Sequence, residues 1–406
     1  MHPYRLSEEE YERILAFKRD LHMHPELSGE EHRTTERIRT FLETLPDFRI
    51  LPLHTETGTG LVAQIRGEEK ADRADRDKAD RDKSDGKMTE IMLRADIDAL
   101  PQTEVYESPW KSVRPGVMHA CGHDFHTASL LGAALLLQRA RTDGTLHRTV
   151  DLVFQPAEEG ARGALIMIRA GLFDLIHPDL CFGMHNWPSV QSGRIVCHEG
   201  ALMSGKRNFE IIIHGVSGHG SMPHLGTDAI VCAAAVIQSL QTVVSRNTDP
   251  LDSVLLTVNM IQGGSPVNFI VDRVRLLGTV RSLSDQALDH AISRVEAIVN
   301  GTAAAYGCRP QIGWTDRIPT VWNSPEMTAR ARRCAETTDC RVVDAEPSLA
   351  SEDYACYRSH VPSFFYWVGS TAEGEEPRDL HKPDFHTDDR MLRYAAELYM
   401  ACAMTE

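Results

Sequence analysis

Apolar residues recur at helical spacing from the start of the chain. Tyr11, Ile14, Leu15 and Leu21, with Lys18 contributing its stem, follow a Ser7/Glu10 pair that matches a capping box. This predicts a helix over residues 7–22, and "HRTTERIRTFLETL" predicts a second. "GTGLVAQIRG" and "TEIMLRADIDALP" read as strands, and "HDFHTASLLGAALLLQRAR", apolar around most of its surface, as a buried helix. Then come a strand ending in carboxylates ("HRTVDLVFQPAEEG"), a helix ("ALIMIRAGLF") and a strand ending in a histidine ("PDLCFGMHNWP"). Strands alternating with helices predict an α/β fold with a mostly parallel sheet covered by helices on both faces.

The pattern changes near Met203. "RNFEIIIHG" reads as a strand and "DAIVCAAAVIQSLQTVV" as a helix, followed by the strands "DSVLLTVNMI" and "DRVRLLGTVRSL". A helix with the stripe Leu288, Ile292, Val295 and Val299 and a strand "CRPQIGWT" close the series. The order β-α-β-β-α-β is that of a small ferredoxin-like domain. Helix and strand patterns, including "SFFYWVGS", then resume. The expected organisation is a discontinuous larger domain, residues 1–202 and 315–406, around an inserted domain, residues 203–314.

Residues 68–87, "EEKADRADRDKADRDKSDGK", form a charged low-complexity stretch without an apolar face, expected as an exposed loop insertion. The formal net charge of -15 argues against a nucleic-acid or anionic-membrane partner and is compatible with a cationic cofactor. No apolar run approaches the roughly 20 residues of a bilayer span, and the charged N-terminus lacks a secretory core. Nine scattered cysteines fit a reducing compartment, so a cytoplasmic location is expected.

Chemistry gathers where apolar runs end. Asp96 and Asp98 follow "EIML", Glu158 and Glu159 follow "DLVFQPA", His185 follows "LCFGM", and His381 lies in "DLHKPDFHT". Loops at the carboxyl ends of parallel strands converge on one crevice. The helix opening after Cys121-Gly122-His123 is expected to point there too. A lone Cys-x-His is more often a buried thiol beside a surface histidine. An isolated acidic pair is usually solvated, but one placed directly after a strand is not bland surface charge. Of two adjacent carboxylates, one can bind a cation while its neighbour takes a proton from water, the division of labour that metal-assisted hydrolysis needs.

Taken in order, "RADIDALP", "MHACGHDFHT", "QPAEEG", "GMHNWP", "GHGSMPH", "SEDYACY" and "LHKPDFHTDD" resemble the aminoacylase-like family of dinuclear-metal amidohydrolases and peptidases. That family includes hippurate hydrolase, bacterial N-acyl-amino-acid deacylases and plant auxin-conjugate hydrolases. The resemblance runs from about residue 14 to 400, leaving out the charged repeat. It implies two divalent ions, manganese or zinc, held by Cys121, His123, Glu159, His185 and His381, with Cys121 as the bridge. It further implies Glu158 as general base and His219 as the histidine that polarises the scissile carbonyl, in dimeric relatives across the subunit boundary. Asp96 and Asp98 would orient the ligands, and Asn268, Arg281 and His224 would serve the substrate or complete the lid. The implied substrate is a small N-acyl amino acid, and a homodimer through the inserted domain is left open. Two departures stand out. Asn268-Phe269-Ile270-Val271 replaces the family's usual Asn-Val-Ile-Pro, and Asp388-Asp389 stands where a glutamate is common.

Two other enzyme readings and one non-enzyme reading compete. A zinc-stabilised binding protein would have four closing ligands and no use for Glu158. A nucleobase deaminase needs a Cys-x-x-Cys, which the chain lacks. A dipeptidase of the same family is the nearest rival.

Overall fold

The structure, a computed structural model, describes residues 4–68, 90–265 and 268–405. Apart from Glu68 and Glu90 at its flanks, the charged insertion expected at 68–87 lies outside the described residues. The chain divides into two compact units. One comprises Met1–Gly200, Trp322–Ala345 and Cys356–Glu406, the other Ala201–Val321 and Glu346–Ala355.

The larger unit is built on an eight-stranded sheet. Its spatial order is Phe48–Leu51, Leu61–Arg66, Thr149–Gln155, Glu90–Asp96, Leu180–Gln191, Ser363–Thr371, Arg194–Val196 and Arg341–Val343. The four central strands, from Thr149–Gln155 to Ser363–Thr371, run parallel. The outer pairings are antiparallel except the last, so the sheet is mainly parallel with a mixed periphery. The central strands are buried along nearly their whole length, the continuous apolar pattern of a sheet covered on both faces. Their register sets the site. Asp96 pairs with Gln155, and Arg94 with Gly183, so Asp96 comes level with His185 two residues on.

The helix His123–Thr142 fills the core, with sixteen buried residues, a buried helix as its all-round apolar sequence predicts. It packs with Ile14 and Leu21 of Glu8–Met23 and with Leu392, Ala395, Ala396 and Tyr399 of Met391–Met404. Ser7 and Glu10 form the expected reciprocal capping box. The segment read as one helix, "ALIMIRAGLF", is two, Gly163–Arg169 and Leu172–Leu175, because Gly171 takes a left-handed conformation between them.

In the smaller unit, strands Gly205–His214, Val254–Gly263, Arg273–Ser282 and Arg309–Trp314 form an antiparallel sheet in the order second, third, first, fourth. With helices Ala229–Asn247 and Asp285–Ala305 this is the β-α-β-β-α-β plan. Ala229–Asn247 corrects one expectation, being long and apolar enough by length and composition to cross a membrane. Its Cys232, Ala233, Val236, Leu240 and Val243 instead pack into this unit's core. Residues 346–355 join the same unit through a Met203–Ser348 bridge and through Ser204, whose hydroxyl donates to the Leu349 carbonyl at 2.8 Å.

At Gly132, a Cβ would lie 2.6 Å from that of Ala396 and 3.0 Å from Ile14 Cδ1. The site-bearing helix therefore approaches its neighbours more closely than a side chain allows. Gly132→Val should destabilise the protein by about 1–3 kcal/mol, read as a lower denaturant midpoint with an unchanged slope.

Candidate metal centre

The side chains of the site, His381 apart, leave a buried element or the turn beside it. Asp96 closes one central strand and Asp98 follows it, His185 lies in the next strand, and Glu158 and Glu159 sit in the turn after Gln155. Cys121 and His123 flank Gly122, which takes a left-handed conformation at the mouth of the buried helix. A Cβ at Gly122 would come within 2.1 Å of Asn186 Oδ1, so both the backbone angle and the space require glycine. His381 reaches in on a loop, in a left-handed conformation, with its N–H donating to the Ala120 carbonyl at 2.8 Å.

Donor atoms lie within 4.8 Å of one another in several triples: Cys121, His123 and His185; Cys121, Glu159 and His381; and His123, Glu158 and Glu159. Cys121 belongs to two of them. Its Sγ is 3.2 Å from His185 Nε2, and His381 Nε2 is 3.3 Å from Glu159 Oε1.

The imidazoles are held from behind. His185 Nδ1 donates to the Asn186 carbonyl at 2.6 Å, which leaves the Nε2 lone pair facing Cys121. His123 Nδ1 meets Asp98 Oδ1 at 3.0 Å, while its buried Nε2 makes no hydrogen bond. A carboxylate behind an imidazole fixes the tautomer that presents Nε2 to a cation. Asp98 is therefore an orienting group for His123. Asp96 serves mainly His126, whose Nδ1 is 2.6 Å away, and Arg94, at 2.9 Å; it lies 3.7 Å from His123 Nε2.

The electrostatics call for positive charge. Burial opposes the charged form of His123, but the charge of Asp96 and the hydrogen bond that the ring donates to Asp98 outweigh it and hold the ring well above the usual imidazole range. Asp96 is held well below the carboxylate range, because His123, His126 and Arg94 overcome its desolvation. Burial, and then Glu159, push the Cys121 thiol well up. Burial and the neighbouring His126 hold His185 well down, in the neutral form that ligates metals. Thiol, imidazole and carboxylate donors around an unsatisfied His123 Nε2 fit divalent cations.

Three contributors carried no local sequence signal strong enough to single them out. Arg94, fully buried, bridges Asp96 and Gln155 Oε1. His126 accepts the Asn186 N–H at 2.9 Å and so ties strand to helix. Glu31, also fully buried, accepts the Ala157 N–H at 2.8 Å. His126 could have been found from its position one helical turn after His123, and Arg94 from sharing a strand face with Asp96.

His219, His224, Asn268 and Arg281 belong to the smaller unit. His219 and Phe269 pair across a short two-stranded sheet, and the Asn268 carbonyl accepts the Gly220 N–H at 2.9 Å. His224 is exposed in the turn Pro223–Leu225. Arg281 Nη1 donates to the Leu349 carbonyl at 2.8 Å, a bond within that unit.

A mainly parallel α/β unit with clustered thiol, imidazole and carboxylate donors offers a candidate site for divalent cations. A family model described as peptidase family M20/M25/M40 matches residues 92–405, and the chain belongs to that family. It is 37% identical over 392 residues to N-acetylcysteine deacetylase of Bacillus subtilis (strain 168), covering 97% of this chain and 96% of that one. It is 34% identical over 370 residues to N-acetyldiaminopimelate deacetylase of Priestia megaterium, covering 91% and 92%. The crystal structure of the Bacillus subtilis YXEP protein, a dinuclear metal binding peptidase from the M20 family, aligns with a TM-score of 0.80 at 34% identity, covering 98% of both chains. The protein is a hydrolase of this family, and its candidate ligand clusters support divalent metals.

Because the Cys121 thiol is raised, it is protonated at neutral pH without a cation, and binding must expel that proton. Apparent affinity should therefore rise with pH, about tenfold per unit for each proton displaced. Calorimetry in buffers of different ionisation enthalpy should show proton release, with Cys121→Ala releasing one proton fewer and retaining less metal. Full retention would contradict the ligand role.

Proposed function

We propose that the protein is an amidohydrolase of N-acyl-L-amino acids, removing acetyl, benzoyl or aryl-acyl groups. The observation that carries this reading is the tandem Glu158-Glu159, both within reach of His123 in one turn. A purely structural metal site has no use for the second carboxylate. The named activities of the Bacillus subtilis and Priestia megaterium relatives, both deacetylases of N-acetylated amino acids, support the substrate class.

Cys121, His123, Glu159, His185 and His381 are the residues that would hold two divalent cations, manganese or zinc, with Cys121 shared. Bound there, such cations supply Lewis acidity, polarising a carbonyl and making water a stronger acid. Glu158, nine-tenths buried, takes the proton of the attacking water and returns it to the leaving amine. The resemblance assigns to His219, of the same or a neighbouring subunit, a hydrogen bond to the oxyanion. Its tautomer suits that task. The Ser221 N–H donates to Nδ1 at 3.2 Å, which makes Nδ1 an acceptor and puts the proton on Nε2 of an exposed ring. Arg281, Asn268 and His224 are the candidates for holding the substrate carboxylate. The nine cysteines, all of them buried, support a reducing, cytoplasmic setting.

Glu158→Gln should retain its metal while kcat on N-acetyl-L-cysteine falls by a factor on the order of 100 to 10,000. Wild-type turnover in that variant would remove Glu158 from the role of base. A panel of acetyl, benzoyl and indole-acetyl amino acids beside dipeptides should show the acyl forms preferred; a preference for dipeptides would make the protein a dipeptidase.

A further inference from the structure

The turn that carries Glu158 and Glu159 is bracketed by two non-glycine residues in the left-handed region, Ala157 at φ 55° and Ala161 at φ 53°. An L-residue with a Cβ adopts this conformation only when its surroundings impose it. At Ala161 the constraint is local, since its N–H donates to the Glu158 carbonyl at 2.6 Å within the turn. At Ala157 a local bond, donated by the Gly163 N–H to the Ala157 carbonyl at 3.1 Å, is joined by one from 126 residues away, where Glu31 Oε1 accepts the Ala157 N–H at 2.8 Å.

Glu31 occupies the N-cap position of the helix His32–Leu42 but makes no capping bond. The capping is done by Glu26, whose two carboxylate oxygens accept the N–H groups of Arg33 at 3.1 Å and Thr34 at 2.8 Å. The Glu31 carboxylate is thereby available to turn inward, where it is fully buried and takes the Gly29 N–H at 2.9 Å as well as that of Ala157. The same short segment reaches the second carboxylate by another route. Ser28 donates to Asp98 Oδ2 at 2.6 Å, and that oxygen also accepts the Glu159 N–H at 3.0 Å. The other Asp98 oxygen holds His123.

We propose that Glu31 is a positioning residue for the hydrolysis, pinning the left-handed Ala157 peptide so that Glu158 and Glu159 leave the turn toward the donor cluster. The proposal rests on the reading of Glu158 as base and Glu159 as ligand. It predicts that what matters at position 31 is an oxygen acceptor at the right place. Glutamine, of the same shape and with one carbonyl oxygen, should substitute where alanine does not. It also predicts that easing the backbone at 157 lessens the need for Glu31, because glycine enters the left-handed region without steric cost.

The test uses the full-length, manganese-loaded enzyme with N-acetyl-L-cysteine as probe. kcat, KM, metal content and melting temperature are measured for the wild type, E31A, E31Q and the double variant E31A/A157G, with E158Q alongside. Misplacing a reacting group by about 1 Å costs on the order of a hundredfold, so E31A should lose kcat on that scale while KM changes much less. E31Q should recover most of the loss, and E31A/A157G should exceed E31A in kcat. Wild-type kcat in E31A would overturn the proposal. So would an E31Q as impaired as E31A, or a double variant no better than E31A at equal melting temperature. Should E31A fail to fold, the E31Q result decides alone: a kcat loss approaching a hundredfold at unchanged melting temperature overturns the proposal, and retained turnover upholds it. Turnover retained in E158Q sinks the base assignment instead, and an inactive E158Q beside a fully active E31A sinks only the positioning role.

Discussion

Buried negative charge at the carboxyl ends of the central strands is the constraint on which the site depends. Asp96 and Asp98 are fully buried, Glu158 nearly so, and the Cys121 thiol lies among them. Carboxylates in such a place are tolerated only when cations or hydrogen-bond donors offset their lost hydration. The protein supplies part of that charge through Arg94 and through a His123 ring held well above its ordinary range. Two positions in this cluster, His123 Nε2 and Glu159 Oε1, make no hydrogen bond and face each other at 4.0 Å, with His381 Nε2 3.3 Å from the latter. A divalent cation answers that deficit where another arginine could not, because it accepts lone pairs from thiolate, imidazole and carboxylate together.

The parallel register and the buried helix turn this electrostatic demand into geometry. Asp96, Gln155 and His185 come level because three neighbouring strands are in parallel register. The helix His123–Thr142 presents Cys121 and His123 at the same height because it packs closely enough to need glycine at 132. His123 and His185 stand on regular elements and Cys121 just ahead of the buried helix, while the Glu158-Glu159 turn and His381 are fixed by left-handed residues and long-range hydrogen bonds. A site on such supports holds its groups more accurately than one made of loops alone.

Much of this was legible in the sequence, for identifiable reasons. The period-3.6 stripes of residues 7–22 and 285–305 and the all-round apolar helix after Cys121 found their elements because local periodicity reports burial directly. Glu158, Glu159 and His185 drew notice because they follow apolar runs, whereas the full set of candidate donors, with Cys121 and His123, came from the resemblance of the motifs taken in order. What escaped depends on contacts distant along the chain. Glu31 reads as one more acid in a charged segment until its partner at Ala157 is known. Arg94 in a strand reads as an anomaly until Asp96 and Gln155 are seen beside it. The attachment of residues 346–355 to the smaller unit runs through Met203, Ser204 and Arg281, which no periodicity reveals. The antiparallel outer strands are likewise a matter of pairing rather than of composition.

The central claim is that Cys121 and its neighbours form a cation site with sulfur in the coordination sphere. X-ray absorption at the zinc edge of the zinc-loaded protein tests it most directly. The account predicts a sulfur shell at about 2.3 Å beside nitrogen and oxygen donors near 2.0–2.2 Å, with the sulfur shell lost in Cys121→Ala. A spectrum fitted by nitrogen and oxygen alone, unchanged by that substitution, would contradict it.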